Sequence, residues 1–264
     1  MQDALINPAV LFCKGLAQHN YQATEKGLQA ADEEGCTHWY IDGSLSGEMV
    51  EDWTEARIAG LQAQINLTGV TPIYHSNFKA PLGSDVEAFR GAAVEYVKKE
   101  IDIASQLSAP LVIHGGCLIE PNRGQMAKQM ALECYLKSVR ELARYAEAKG
   151  TDIYLESLAH CVNYRVFTDA AQYAWVAERL QAQRNVYFVL GVGHANIESG
   201  WLAHVVRRYH PRIKAISFGL HADYADVVQA MVETRWRGLV TVETHHRSPH
   251  QALADLAAMY RKFL

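Results

Sequence analysis

The sequence predicts an α/β fold, a closed (β/α)8 barrel built as a single domain over residues 1–264, and three observations lead to it. Short apolar segments alternate with amphipathic helical segments along the whole chain. A length of 264 residues accommodates eight strand–helix units, which is the usual size of one closed barrel. No linker, low-complexity segment or change in composition marks a second domain.

Eight short segments are predicted as strands. Several are continuous apolar runs rather than alternations of polar and apolar residues, as expected for parallel strands that are covered on both faces. The segments are residues 4–12, 37–42, 69–75, 109–115, 151–157, 186–191, 213–219 and 238–244. Eight strands, each followed by a helical segment, match the repeat number of the predicted barrel.

The segments between the strands have helical periodicity, which is clearest in residues 84–107. Ser84 and Glu87 fit a capping box, in which each side chain bonds a free backbone N–H at the helix start. The apolar residues that recur at helical spacing form one stripe, namely Val86, Phe89, Ala93, Val97, Ile101 and Ala104. Further helices are predicted over residues 123–149 and 169–182 and from Ser248-Pro249 onward.

An open, doubly wound sheet is the alternative for a chain of alternating strands and helices. Such a sheet usually carries a glycine-rich phosphate-binding turn after its first strand. Here the first predicted strand runs into LFCKGLAQH, which lacks that pattern. This difference favours the closed barrel, and no nucleotide cofactor is expected.

Composition and charge exclude several classes of partner. The formal net charge is −4, with no basic cluster, so no nucleic-acid partner is expected. No apolar run approaches the roughly 18 residues of a membrane-spanning helix, and residues 1–15 do not resemble a signal peptide. The five cysteines form no CxxC pair, which favours a reduced compartment over a disulfide framework. We therefore expect a cytoplasmic protein with no membrane partner.

Polar and charged residues concentrate where the predicted strands end. In a barrel the carboxyl ends of all strands converge on the active site. The residues at these ends are Asp42, His75, His114, Glu156, His194 with Asn196, His221, and Glu243 with His245 and His246. Because a buried carboxylate is costly unless it is paired or metal-bound, Glu156 and Glu243 are the strongest candidates for catalysis. His75 and His114 fit either the wall of the pocket or hydrogen-bonded positions in the core.

The order and spacing of PLVIHGG, IYLES, VLGVGHAN and LVTVET, with HSNFKAP after the third strand, resemble the sugar phosphate isomerase/epimerase family. Its members are xylose isomerase-like TIM barrels related to AP endonuclease 2, and the resemblance spans nearly the whole chain. In that family a divalent metal is held by a Glu after strand five, an Asp after strand six, a His after strand seven and a Glu after strand eight. The resemblance implies that Glu156 and Glu243 are these glutamates, which also move protons beside a sugar carbonyl, and that His194 is the histidine of the family's Asp-x-Gly-His pattern.

Two of the four ligands that the resemblance implies are replaced by glycine. Gly191 stands where the Asp-x-Gly-His pattern has its aspartate, and Gly219 aligns with the metal-binding histidine. Since alternate residues of a strand share a face, His221 could reach inward in place of Gly219. Glu156, Glu243 and His221 would then form an open three-ligand site for Mn, Zn, Mg or Fe. The expected site is a degenerate form of the family's metal centre.

The predicted function is isomerisation or epimerisation of a small carbohydrate-like substrate: a sugar, sugar phosphate, keto acid or cyclitol. Glu156 and Glu243 would transfer the proton, because two carboxylates in a dry pocket take separate pKa values and can act as acid and base. The predicted substrate contacts are His75, His114, His194 and Asn196. The alternative is a non-catalytic or repurposed barrel that binds a small polar ligand after loss of metal ligands. The resemblance also implies a possible homodimer.

Overall fold

Eight parallel β-strands close into a barrel in which each strand pairs with its neighbours in chain order. The computed structural model describes residues 7–11, 23–115, 124–157, 166–167, 169–192, 200–218, 224–243 and 249–263. The strands are β1 (Asn7–Leu11), β2 (His38–Asp42), β3 (Thr71–His75), β4 (Leu111–His114), β5 (Ile153–Glu156), β6 (Val186–Gly191), β7 (Ile213–Phe218) and β8 (Leu239–Glu243). The barrel closes because β1 pairs with β8 along its length and with β2 at Val10 and Trp39. The predicted (β/α)8 fold is confirmed.

In the described ranges, one α-helix follows each strand and covers the outside of the barrel. The helices are α1 (Thr24–Glu33), α2 (Glu55–Thr68), α3 (Glu87–Gln106), α4 (Gly124–Ala148), α5 (Ala170–Arg179), α6 (Gly200–Tyr209), α7 (Ala225–Glu233) and α8 (Pro249–Arg261). None of the helices in the described ranges combines the length and the apolarity that crossing a membrane requires.

The apolar core consists of two layers because side chains alternate between the two faces of each strand. The larger layer fills the space between the strands and the helices. The smaller layer fills the inside of the barrel and consists of Tyr40, Ile73, Val112, Val189, Ala215 and Leu239, with Tyr154 packed against it. A residue two positions after any of these points into the same interior, nearer the carboxyl end of its strand. This alternation determines which side chains line the mouth of the barrel.

Side-chain caps set the start of two helices. Thr54 precedes α2, and its side chain accepts a hydrogen bond from the Arg57 N–H at 3.2 Å. Asp169 precedes α5, and its carboxylate accepts a hydrogen bond from the Gln172 N–H at 2.9 Å. Gly69 ends α2 with a φ of 71°, a left-handed backbone that glycine adopts without a steric penalty.

The predicted capping box at the start of α3 is wrong. The helix begins at Glu87, and the Ser84 hydroxyl accepts a hydrogen bond from the Val86 N–H at 3.2 Å, within the turn before the helix. Glu87 instead accepts hydrogen bonds from Arg90 at 2.6 Å and from Lys137 of α4 at 2.9 Å. Two cationic partners compete successfully for the carboxylate that the local pattern assigned to the backbone.

The predicted apolar stripe of α3 is buried only from its second turn onward. The buried members are at most 5% exposed and are Ala93, Val97, Ile101 and Ala104. Val86 and Phe89, by contrast, are 47% and 63% exposed. Helical periodicity therefore predicted the direction of the stripe correctly but not how far along the helix the packing extends.

Candidate functional site

A polar layer lies inside the barrel at the carboxyl ends of four neighbouring strands. Each member follows an interior apolar residue by two positions, so strand alternation directs it into the barrel. The members, from β2 to β5, are Asp42, His75, His114 and Glu156. All four are buried, with exposures of 2–4%. Buried ionisable groups in this number require one another as partners.

Three members of this polar layer meet in one contact. Nε2 of His114 lies 2.7 Å from Nε2 of His75, a hydrogen bond in which one nitrogen donates and the other accepts. Oε2 of Glu156 lies 3.3 Å from Nε2 of His75 and 3.5 Å from Nε2 of His114. The two imidazole rings are nearly perpendicular, at 83°. The structure thus brings together three of the predicted site residues.

His75, His114 and Glu156 also form a group that could hold a metal ion. Each offers one ligand atom, and these atoms all lie within 4.8 Å of one another. Imidazole nitrogens with a carboxylate oxygen are the donor set of many zinc sites and of non-haem iron sites. In the ranges that the structure describes, no other group of three His, Cys, Asp or Glu residues meets this geometry.

A further buried carboxyl, that of Glu100 on α3, lies behind the polar layer. Its Oε1 accepts a hydrogen bond from the Asn77 N–H at 2.8 Å, and its Oε2 accepts one from the Ser76 hydroxyl. Burial raises the pKa of Glu100 to about 8, and the charge of Asp42 adds to the rise. Glu100 is therefore largely protonated at neutral pH, and it anchors the two residues that directly follow His75.

Glu100 was not among the predicted site residues, although the periodicity of α3 contained a sign of it. It lies three residues after Val97 and four before Ala104, so helical spacing places it on the buried stripe. A charged residue on that face needs polar partners inside the protein. The space around it is tight, since a Cβ added at Gly43 would lie 2.9 Å from Glu100 Oε1.

Other predicted site residues lie outside the described part of the chain. These are His194, Asn196, Gly219 and His221. Glu243 ends β8 and is the register partner of Leu11 in β1, but its side chain is not among those described. The predicted pairing of Glu156 with Glu243, and the predicted ligand set with His221, therefore stay predictions.

The next two strands carry no ionisable side chain at the corresponding positions, within the described parts of β6 and β7. Gly191 ends β6 and is the register partner of Ser217 in β7. These residues follow Val189 and Ala215, members of the interior layer, by two positions. Gly191 contributes no side chain and Ser217 contributes only a hydroxyl, so the polar layer ends at β5.

Comparison with known protein families identifies one match to the sequence. The sequence model of the xylose isomerase-like TIM barrel family matches residues 28–263. This range includes strands β2–β8 and all four residues of the polar layer. No curated protein matches the chain.

Several solved structures have the same fold over almost their whole length. A D-psicose 3-epimerase from Clostridium cellulolyticum H10, solved with D-tagatose, superposes with a TM-score of 0.79 at 16% identity, covering 98% of this chain and 99% of that one. A 3-keto-D-glucoside 4-epimerase from E. coli gives 0.73 at 18% identity, with 97% and 99% covered. An L-ribulose 3-epimerase gives 0.72 at 16% identity, with 91% and 89% covered. At identities this low, the similarity to these structures shows a shared fold only.

Proposed function

Because this chain belongs to the xylose isomerase-like TIM barrel family, we propose that it is a sugar isomerase or epimerase. Its barrel resembles those of epimerases that act on D-psicose, 3-keto-D-glucoside and L-ribulose. One fold hosts many functions, so the function is inferred from the site. The observation that carries the proposal is the buried contact of His75, His114 and Glu156 at the carboxyl ends of the strands.

The proposed reaction is proton transfer next to the carbonyl group of a small carbohydrate. Such a reaction needs a base that removes the proton from carbon, an acid that returns it, and a group that stabilises negative charge on the carbonyl oxygen. Glu156 is the proposed base, since its carboxylate is buried and lies beside two imidazoles. Glu243, at the end of β8, is the proposed second proton-transfer residue.

We propose that a divalent cation is held by His75, His114 and Glu156. The three ligand atoms lie close enough together and all belong to buried side chains, so the residues present fit a metal ion. Two imidazole ligands favour Zn or Fe over Mg and Mn, which prefer oxygen ligands. When bound, such a cation polarises the substrate carbonyl and stabilises charge on its oxygen. Glu243 and His221 are the further ligands predicted from the sequence.

The substrate is proposed to lie across the mouth of the barrel. His194 and Asn196 follow Gly191 at the carboxyl end of β6, the end at which barrel loops form the active site. They are the proposed substrate contacts on that side. His75 and His114, the other two predicted substrate contacts, lie on the opposite side, in the polar layer.

Exchange of carbon-bound hydrogen with solvent deuterium tests this proposal. The protein, supplied with Zn²⁺, Mn²⁺ or Co²⁺, is incubated in D₂O with D-psicose, D-fructose, D-tagatose or L-ribulose. Proton NMR then follows loss of the signal next to the carbonyl and appearance of the epimer. We expect exchange into at least one of these sugars. No exchange with any metal, together with thermal stabilisation by a sugar that is not converted, would instead support the non-catalytic binding barrel.

Two glutamine variants test the proton-transfer roles. Glu156→Gln and Glu243→Gln are expected to lower turnover about 10²–10⁴-fold, because an amide cannot accept the proton. Glu178→Gln, at an exposed position of α5, is the matched control and is expected to keep full turnover. Urea unfolding of each variant shows whether the fold is intact. Full turnover in both Glu156→Gln and Glu243→Gln would contradict the proposed roles.

A further inference from the structure

Asp42 and His75 face each other on neighbouring strands. They are register partners at the carboxyl ends of β2 and β3, and their side chains are 0% and 2% exposed. Oδ1 of Asp42 lies 3.8 Å from Nδ1 of His75. The backbone reinforces this approach, because the Gly43 N–H donates a hydrogen bond to the His75 carbonyl at 2.9 Å.

Both side chains have hydrogen-bonding capacity that is not used. Among the described residues, no group hydrogen-bonds to Asp42 Oδ2 or to His75 Nδ1, although both atoms are buried. The other carboxylate oxygen, Oδ1, is held by the Ser44 N–H at 3.0 Å and by the Ser44 hydroxyl. A buried donor or acceptor without a partner lowers stability, and these two atoms belong to side chains that approach to 3.8 Å. A hydrogen bond between His75 Nδ1 and Asp42 Oδ2 would satisfy both atoms.

The other ring nitrogen of His75, Nε2, faces the rest of the site, so its protonation affects what the site can bind. Its Nε2 contacts His114 Nε2 at 2.7 Å and lies 3.3 Å from Glu156 Oε2. A neutral imidazole carries its proton on only one of its two nitrogens, and the hydrogen bond at one nitrogen selects the form. A proton on Nδ1 leaves the Nε2 lone pair free to accept from His114 or to bind a metal ion. A proton on Nε2 would remove that lone pair.

We propose that Asp42 is a positioning residue, which accepts a hydrogen bond from Nδ1–H of His75 and keeps Nε2 unprotonated toward His114 and Glu156. This inference deepens the proposed function and rests on it for the role of the Nε2 lone pair. Ser44 fixes the carboxylate by its two hydrogen bonds to Oδ1. Oδ2 is the carboxylate oxygen that no described residue hydrogen-bonds. Asp42 thus acts on the site through the imidazole.

The form of the His75 ring can be measured directly. Long-range proton–nitrogen NMR spectra of protein labelled with ¹⁵N at histidine distinguish the two neutral forms, and the His75 signals are assigned by their loss in His75→Gln. In the metal-free wild type we expect His75 to carry its proton on Nδ1. A wild-type ring protonated on Nε2, or on both nitrogens, would overturn the proposal without any variant.

Asp42→Asn extends the test to the role of the carboxylate. The amide keeps the shape but loses the negative charge, so we expect most of the His75 population to shift to the Nε2–H form. Zn²⁺ affinity should fall about 10–100-fold, as is usual when the partner of a ligating histidine is lost. The control Ser44→Ala, which keeps the carboxylate, should retain the wild-type ring form. An unchanged ring form and an unchanged Zn²⁺ affinity in Asp42→Asn would overturn the proposal.

Failure of this inference and failure of the proposed function give different results. The ring form is measured without metal or sugar, so it does not depend on turnover. Sugar exchange that is intact in a protein whose His75 carries its proton on Nε2 would leave the epimerase proposal in place and remove the role of Asp42. A His75 ring that carries its proton on Nδ1, in a protein that exchanges no sugar, would keep the role of Asp42 in place and contradict the epimerase proposal.

Discussion

Two halves of the barrel mouth differ in chemistry although their strands occupy equivalent places in the fold. The positions compared lie two residues beyond the apolar interior layer of each strand. On β2–β5 they are Asp42, His75, His114 and Glu156, and on β6–β8 they are Gly191, Ser217 and Thr241. At these positions the first half has four buried ionisable side chains in a row, and the second has two hydroxyls.

The difference shows that buried ionisable side chains occur here where neighbouring strands supply each of them with a partner. Each ionisable group in the polar half has a register neighbour of complementary chemistry, Asp42 beside His75 and His114 beside Glu156. Such pairs tolerate burial because each supplies the other's partner. Gly191 on β6 lies outside both of these register pairs. The group of described residues that could hold a metal ion accordingly lies on β3–β5.

The largest expected effect follows from removing a ligand in the polar half. His114→Ala should weaken Zn²⁺ binding by more than about 100-fold, since losing only an outer partner of a metal ligand already costs up to that much. Ser217→Ala, the matched change in the other half, should alter the affinity by no more than about twofold. Competition with a chelator of known affinity measures both. Equal losses of Zn²⁺ affinity in the two variants would show that the two halves do not differ in metal binding.

The second prediction concerns the buried carboxyl behind the polar half. Burial raises the pKa of Glu100 in the folded protein to about 8, from the ordinary value of 4.5. The free energy of unfolding contributed by this group is then complete below about pH 4.5, falls as the pH rises, and levels off above about pH 8. The total fall should be a few kcal/mol.

Glu100→Gln should remove this fall, because the amide matches the protonated acid in shape and can bond both Ser76 and Asn77. Relative to the wild type, the variant should therefore gain stability between about pH 5 and pH 8. Urea unfolding at several pH values measures the difference, and Glu178→Gln serves as the exposed control. A constant difference between Glu100→Gln and the wild type over this range would show that Glu100 is ionised in the folded protein.

The barrel was predictable because its signals repeat in every unit. The predicted strand 186–191 coincides with β6, since VYFVLG is apolar on both faces and a glycine ends it. The other described strands differ from their predicted bounds by a few residues at most. Helix starts were less predictable, because Arg90 and Lys137 bind the Glu87 carboxylate that the local pattern assigned to a cap. Such competition depends on tertiary contacts that a local pattern does not contain.

The residues of the site were partly predictable, but their contacts were not. Strand ends pointed to His75, His114 and Glu156 because polar residues there interrupt apolar runs. That the two imidazoles approach to 2.7 Å depends on the register and the rotamers of neighbouring strands, which only packing determines. Glu100 was not predicted because it lies on a helix, whereas the sequence signal for the other site residues is their position at strand ends.

The smallest expected effect comes from β6, which ends in a glycine where the neighbouring strand β5 ends in Glu156. Gly191 is buried at the end of β6, and in the described chain it is not among the glycines with left-handed backbone. Gly191→Ala should therefore fit the backbone and stabilise the strand by about 0.5–1 kcal/mol. Zn²⁺ affinity should stay within about twofold of the wild type, because no ligand is removed. A large loss of Zn²⁺ affinity would mean that the space beside Gly191 belongs to the metal site. Both halves of the mouth would then contribute to metal binding.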